Sequence, residues 1–248
     1  MISLSKKYWK KNCKAYIELL ENTEKYPSPY TQIIIPTVID LIKKFTKKDD
    51  NILDVGCGEG YITRIINKYK RNPYGCDISP EMIDAAKRQN SKINYWVQDI
   101  ERRKKNNNLN KPKFKMVISN LVFTYLKNTD QALNNISKYL DTNGFLVIII
   151  PHPCFYHQEN YRWFMDENLS EYHTGMYFKE KTFIKEIANG FITHYIHRTL
   201  ETYFKIFIKN KFNLISLLEP KPKKLSNDVL KKVNKVPNLI VFVLQKKY

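Results

Sequence analysis

Polar and apolar positions along this chain follow two alternating rhythms. Short apolar runs of strand length fall at 51–55, 72–77, 92–97, 114–119 and 145–150. Between them, at 60–70, 80–90 and 129–140, apolar residues recur three and four apart. The first rhythm predicts strands and the second amphipathic helices. Strand and helix taking turns predict an α/β fold, an open parallel sheet with helices on both faces. Phe145 to Ile150 is apolar at every position, which predicts a strand buried on both sides. Ser79-Pro80-Glu81 supplies a cap, a proline at the first helical position and an acid in the first turn. Asn143-Gly144 reads as a helix stop.

The flanks carry other patterns. Tyr8, Trp9, Tyr16, Ile17, Leu19 and Leu20 have helical spacing, so residues 1–24 are expected to hold a helix. After a turn at Pro27-Ser28-Pro29, a second helix is expected from about Tyr30 or Thr31 to Phe45, bent or restarted at Pro36. Residues 151–190 are rich in Tyr, Phe, Trp and His with little periodicity, and read as an inserted substrate cover or as a loop packing its own aromatics. A strand at 191–197, a helix at 199–210 and two β runs at 212–219 and 238–245 follow, the last two as an antiparallel hairpin finishing the sheet. The expected organisation is one domain in four parts, at 1–48, 49–150, 151–190 and 191–248.

Candidate chemistry centres on Ile52 to Tyr61, where Gly56, Gly58 and Gly60 stand at alternate positions between a strand and a helix. Glycine tolerates positive φ and lets a ligand lie against the backbone. The helix that follows points free N–H groups and the positive end of its dipole at that ligand. Twenty-one residues past Gly56 the second strand ends in Asp77, placed to accept both hydroxyls of a ribose. The dinucleotide fingerprint G-x-G-x-x-G/A needs Gly or Ala at position 61, and this chain has Tyr61.

With its leading acid, Asp54-x-Gly56-x-Gly58-x-Gly60 resembles the first motif of class I S-adenosylmethionine-dependent methyltransferases. The resemblance implies a Rossmann-like fold whose N-terminal helices cover the nucleotide crevice, S-adenosylmethionine as cofactor and S-adenosylhomocysteine as product. It implies that the amino-acid end meets the backbone of Gly56 and Gly58, that the ribose goes to Asp77 and that the adenine packs on Ile78. Asp99 would accept from the adenine amino group, and the Ile100 N–H would reach a ring nitrogen. Asp54 either helps with the amino-acid end or holds the turn, and Tyr30 and Asn120 complete the cofactor set.

Methyltransferases acting on exocyclic amines of nucleobases resemble one another in an Asn/Asp-Pro-Pro-aromatic tetrad after the fourth strand. Ser119-Asn120-Leu121-Val122-Phe123 departs from it and is similar to the small-molecule branch. Pro29-Tyr30, Pro151-His152-Pro153, His197-Arg198-Thr199-Leu200 with Tyr203, and Leu218-Glu219-Pro220-Lys221-Pro222 look like one branch of small-molecule enzymes, so the resemblance covers about residues 25–245. Methyl transfer needs approach geometry and, for a hydroxyl or protonated amine, a base. His152 is the first candidate base and His197 the second; a turn or core histidine is the alternative for His152, and Arg198 is expected to brace Glu219. Tyr125, His157 and His173 are candidates to line the acceptor pocket, with Tyr30 and Tyr125 offering ring faces to a cation; core packing is the alternative reading of each.

Composition narrows the partners. Among 248 residues 43% are hydrophobic, enough for a sizeable core, and no apolar run approaches the length of a membrane span. Cys13, Cys57, Cys76 and Cys154 are scattered, with no zinc-like spacing, so no metal site is expected, and reduced thiols in the cytoplasm are the simplest account. No secretory signal is expected in residues 1–14. The net charge of +18 comes largely from spread lysine pairs, with seven Arg among 42 basic residues, which favours compositional drift over a recognition surface. The reading is a cytoplasmic methyltransferase for a small aromatic or heterocyclic acceptor attacked through O or N. The alternative is an RNA or tRNA methyltransferase using the lysine-rich surface; a binding protein without turnover is the third, and the oligomeric state is left open.

Overall fold

The computed structural model describes residues 6, 8, 9, 13, 16, 17, 29–103, 112–155, 177–188, 191–222 and 236–247. The six described residues between 6 and 17 are helical. The elements that follow are α1 (Pro29–Phe45), β1 (Asn51–Val55), α2 (Tyr61–Lys68), β2 (Asn72–Asp77), α3 (Pro80–Gln89), β3 (Asn94–Val97), β4 (Phe114–Asn120), α4 (Thr129–Tyr139), β5 (Leu140–Pro151), β6 (Thr182–Ala188), β7 (Phe191–Ile196), α5 (Leu200–Lys209), β8 (Phe212–Leu218) and β9 (Leu239–Lys246).

Seven strands form one sheet in the order β3-β2-β1-β4-β5-β9-β8. The first five pair in parallel, and β9 runs antiparallel between β5 and β8. Strand order reverses between β1 and β4, and a crevice outside the carboxyl ends of the strands opens at such a point. The chain's α/β, Rossmann-like pattern with a closing antiparallel hairpin is thus the observed architecture.

Alternation along the central strands sorts the core into two layers. Leu146, Ile148 and Ile150 of β5 pack with Leu133 and Ile136 of α4 and with Tyr203 and Phe207 of α5. Val147 and Ile149 pack on the other side with Ile33, Val38 and Ile42 of α1 and Ile62, Ile65 and Ile66 of α2. This is the two-faced burial that an uninterrupted apolar strand requires.

Three elements differ from expectation. The helix α1 runs through Pro36 without a break. A proline inside a helix costs about 3 kcal/mol, whereas each aliphatic side chain fully buried contributes about 1.5–3 kcal/mol; Ile33, Ile34, Val38, Leu41 and Ile42 of α1 are all buried. The strand β5 begins at Leu140, which pairs with Phe114 before a register shift, so Asn143, at φ 62, bends the strand's entry and the helix stops earlier. The run 191–197 does not join the main sheet: β7 pairs with β6 in a separate antiparallel ribbon. Ile184 in β6 is 71% exposed, while Thr193, His194 and Tyr195 of β7 are buried in succession, so neither strand shows the alternation that marks a half-buried strand in sequence. Leu19 and Leu20, the Pro27-Ser28 turn, most of the 151–190 cover and the 223–235 connection lie outside the described residues.

Candidate active site

Gly56, Gly58 and Gly60 all have positive φ, at 73, 54 and 84°. The backbone N–H groups of Gly56 and Cys57 both donate to the Cys76 carbonyl, at 2.7 and 3.0 Å, which fastens the β1–α2 turn to the end of β2. A Cβ on Gly56 would lie 2.2 Å from Val122 Cγ2, whereas a Cβ on Gly58 would meet nothing within 4 Å. Gly56 is therefore demanded by packing and Gly58 leaves an open cradle beside bare backbone.

Asp77 closes the same turn. Its Oδ2 accepts from the Gly58 N–H at 3.0 Å and its Oδ1 from the Ser79 N–H at 2.9 Å. Burial pushes its pKa up, against backbone hydrogen bonds from Ser79, Gly58 and Ile78 that pull it down. Each carboxylate oxygen has a further lone pair, so the group can hold the turn and still accept two hydroxyls. Ser79 caps α3 by accepting from the Met82 N–H at 3.2 Å, and Ile78 is half-buried beside Asp77.

Asp54 is held by α2. It is 1% exposed, and its Oδ2 accepts from Thr63 Oγ1 of α2 at 2.7 Å. Burial pushes its pKa up to about 7, and the nearby Asp77 and Glu59 carboxylates add to the rise. The geometry is that of a brace between β1 and α2, one of the two roles expected. Thr63 was not singled out in the sequence, although helical spacing puts it on the face of α2 that meets the sheet. Glu59 and Arg64 were also missed; they form an ion pair at 2.7 Å on the rim of the turn.

At the third strand tip Asp99 Oδ1 accepts from the Glu101 N–H at 3.0 Å, while Ile100 is buried with its carbonyl taken by Asn135 Nδ2 at 2.7 Å. At the fourth, Asn120 Oδ1 is buried and has no hydrogen-bond partner among the described residues. Leu121 turns there with φ 58, and its N–H donates to the Ile149 carbonyl at 2.8 Å. Tyr30 lies in α1, its side chain outside what is described. The N-terminal helical residues cover this region: the Cys13 thiol and the Tyr16 hydroxyl both feel the Asp77 carboxylate, and burial with the Glu59 and Asp77 charges pushes Tyr16 up to about 12.

The histidines are held by the protein. His152 Nε2 lies 2.9 Å from Glu219 Oε1, and its Nδ1 accepts from the Cys154 N–H at 3.2 Å. Both ring nitrogens are therefore engaged, with Nε2 carrying the proton, and burial lowers the ring's pKa against the pull of Glu219. His197 Nε2 donates to the Tyr177 carbonyl at 2.7 Å. The expected Arg198–Glu219 brace is absent, because His152 takes Glu219; Arg198 is buried and donates to the carbonyls of Leu126 at 2.6 Å and Phe123 at 3.4 Å. Tyr125 stands in the β4–α4 loop, edge-on to Trp9 with ring centroids 5.6 Å apart. His157 and His173 lie outside the described residues. His194, which the sequence did not mark, is 1% exposed in β7 and its Nε2 lies 2.7 Å from the Tyr125 carbonyl.

A nucleoside with a charged amino-acid tail fits these residues: an open glycine, a half-buried carboxylate one strand away, and a buried Asn120 amide oxygen with no hydrogen-bond partner among the described residues. Residues 46–219 match a family of methyltransferase domains, and the chain belongs to that family. Over 100 residues it is 34% identical to the malonyl-[acyl-carrier protein] O-methyltransferase of Bacillus cereus, covering 39% of this chain and 35% of that one. Over 63 residues it is 40% identical to the ubiquinone biosynthesis O-methyltransferase of Coxiella burnetii, covering 24% and 27%. The chain thus spans about a third of the length of the curated relatives it matches. A crystal structure from Listeria monocytogenes, assigned to the S-adenosylmethionine-dependent methyltransferases, superposes with a TM-score of 0.71 at 22% identity, over 87% of this chain and 99% of that one.

Proposed function

We propose that this protein is an S-adenosylmethionine-dependent methyltransferase acting on a small acceptor through oxygen or nitrogen. When bound, the cofactor supplies a methyl carbon on a positively charged sulfur, which leaves as a neutral thioether. The observation that carries the reading is the Gly58–Asp77 pair at the β1/β4 switch point: bare backbone, an open cradle and a carboxylate fixed by two N–H groups. Asp77 accepts the ribose hydroxyls, Ile78 packs on the adenine, and Asp99 with the Ile100 N–H meets the base. Gly56, Gly58 and Asn120 receive the amino-acid end, the orphan Asn120 oxygen accepting from its ammonium.

His152 and His197 flank the acceptor side, but their protein partners favour holding β5, β7 and their loops over taking a proton. Several described lysines lie away from the crevice: Lys47 and Lys48 precede β1, Lys113 precedes and Lys115 opens β4, and Lys246 ends β9 before Lys247, all at the edge of the sheet opposite it. No helix among the described residues is long and apolar enough to cross a membrane.

Calorimetry with S-adenosylmethionine tests the reading. The wild type binds, and Asp77→Ala weakens binding ten- to a hundredfold, because charge-assisted hydrogen bonds are worth about 1.5–3 kcal/mol. Equal affinities in the two proteins remove the ribose assignment, and no binding to the wild type removes the proposed activity.

A further inference from the structure

We propose that the edge of the sheet opposite the crevice binds a single strand of nucleic acid along its phosphates, without reading its sequence. The inference stands apart from the methyl-transfer reading, since it concerns the far side of the molecule. Lysines from separate stretches of chain meet at that edge. Lys44 lies in the last turn of α1, Lys113 and Lys115 flank the first residue of β4, and Lys138 lies in the last turn of α4. Lys211 precedes β8 and Lys247 follows β9. The strands β4 and β5 run parallel, β9 runs against β5 and β8 runs against β9. The starts of β4, β5 and β8 and the end of β9 therefore share one edge.

Contacts between these segments join the lysines into a strip. The Phe45 and Phe145 ring centroids are 4.7 Å apart, with Lys44 Nζ 5.1 Å from the first and Lys115 Nζ 5.2 Å from the second. Lys115 Nζ donates to the Asn143 carbonyl at 3.1 Å, and Gln245 Nε2 of β9 donates to the same oxygen at 3.2 Å. Lys113 Nζ donates to the Lys138 carbonyl at 2.7 Å, and the Lys247 N–H to the Lys211 carbonyl at 2.7 Å. A carbonyl or a ring receives an ammonium without cancelling its charge. None of Lys44, Lys113 and Lys115 has a carboxylate partner among the described residues, whereas Lys205 and Lys209 of α5 are matched with Glu201 and Asp130. Asp49, Asp50 and Asp141 also stand at this edge. Lys48 engages the first at 3.9 Å, the Lys47 N–H the second at 2.7 Å and the Thr142 N–H the third at 2.8 Å. The strip keeps an excess of positive charge.

Shape and residue type select the partner. Neighbouring strands lie about 4.8 Å apart, so the intervals from β4 through β5 and β9 to β8 span about 14 Å. A stacked strand of nucleic acid carries a phosphate about every 3.4 Å, which places about four along that length. Lysine meets a phosphate as a point charge and lacks the planar fork that reads a base edge bidentately. Contact therefore follows the backbone and ignores the bases, the one kind of recognition for which a lysine-rich, arginine-poor surface is suited. Phe45 and Phe145 are half-buried and pack on each other, so they do not project to enter a lipid surface.

Fluorescence anisotropy with labelled oligouridylate tests this on the full chain across a range of salt. The wild type is expected to bind, with log affinity falling linearly against log salt. Lys44→Gln, Lys113→Gln and Lys115→Gln made together keep donors for the carbonyls and remove three charges. They are expected to lower affinity about tenfold and to make the salt slope shallower by about two, since each phosphate contact on a single strand contributes about 0.7. The control carries Lys127→Gln, Lys179→Gln and Lys221→Gln, which remove as much charge away from this edge, and is expected to lose less than about threefold. Equal losses in the two triple variants would mean that net charge alone attracts the strand, and a larger loss in the control would place the strand elsewhere; either overturns the proposal. So does a wild type that ignores oligouridylate, or that binds polyglutamate or vesicles of anionic lipid as tightly. Acetylation of the wild-type lysines, read by mass spectrometry, decides the matter even if a variant does not fold: oligouridylate is expected to protect Lys44, Lys113 and Lys247 and to leave Lys127 reactive, and the reverse pattern overturns the assignment. A protein that holds the strand at this edge but takes up no S-adenosylmethionine keeps this inference and loses the methyl-transfer reading instead.

Discussion

Two regions of the molecule fix their polar groups by different means. Around β1, β2 and β3 the anchors are carboxylates receiving hydrogens from nearby chain: Asp54 from Thr63, Asp77 from Gly58 and Ser79, Asp99 from Glu101. Around β4, β5 and β7 the anchors are cationic or imidazole donors reaching far along the chain: His152 to Glu219, His194 to Tyr125, Arg198 to Leu126. The first kind spans 2 to 19 residues and the second 67 to 72. The acid half is thus a preformed turn, rigid and locally encoded, suited to a cofactor of fixed shape. The histidine half is assembled by tertiary packing, suited to walls that differ with the acceptor.

Substitutions at the glycine turn test the acid half hardest. Gly56→Ala places a methyl 2.2 Å from Val122 Cγ2 at φ 73, which combines a left-handed penalty of about 1–2 kcal/mol with overpacking of about 1–3 kcal/mol. Urea unfolding is expected to register a loss of about 2–5 kcal/mol. Gly58→Ala meets no atom within 4 Å, so only the backbone term of about 1–2 kcal/mol applies, but its methyl projects into the cradle and S-adenosylmethionine binding falls further than stability. Should both variants lose stability equally, the cradle at Gly58 is not open and the division of labour between the two glycines fails.

A middle-sized effect separates the two carboxylates of the acid half. Asp54 has its pKa raised to about 7 in the folded chain, against about 3.9 when unfolded. The folded state therefore keeps a proton that the unfolded state gives up between these values. Its stability contribution is full below about pH 4 and is lost as pH rises through about 7. Asp54→Asn mimics the protonated form and preserves the acceptor for Thr63. The wild type is expected to lose on the order of 2–4 kcal/mol relative to this variant between pH 4 and 8, as read from paired denaturation curves. Parallel pH profiles would mean that Asp54 stays ionised and belongs with Asp77 as a ligand-facing acid.

The same contrast explains what was legible in the sequence. Strand and helix positions, the cap at Ser79 and the Gly–Asp77 turn come from residues close in the chain, and these matched the structure within a few positions. The strand at 191–197 was legible as well, but its partner β6 was not: Ile184 in β6 is exposed, and β7 buries Thr193, His194 and Tyr195 in succession rather than in alternation. His194 was passed over for a similar reason: nothing within ten residues indicates that its ring will meet the Tyr125 carbonyl 69 residues away. The Arg198–Glu219 brace was inferred from opposite charge alone, and packing gave each partner elsewhere. Roles encoded by local geometry are readable from one chain; partners chosen by tertiary contact are not.

The gentlest substitution probes the histidine half at Glu219. His152 is buried while the Glu219 side chain is 49% exposed, so much of the pair's attraction is screened and its net worth falls below about 1 kcal/mol. Glu219→Gln keeps an oxygen to accept from His152 Nε2–H and removes only the charge. Because Glu219 raises the pKa of His152 against burial, the variant's His152 should titrate lower than in the wild type. A group whose folded pKa lies below its unfolded value binds its proton more weakly when folded, so the stability tied to neutral His152 is present above about pH 6.5 and drains away as pH falls through the folded value. The expected result at pH 7.5 is a stability loss under about 1 kcal/mol with S-adenosylmethionine affinity unchanged within twofold. A tenfold fall in cofactor affinity from so mild a change would place the His152–Glu219 pair inside the binding site, and the separation between a cofactor half and an acceptor half would have to be redrawn at β5.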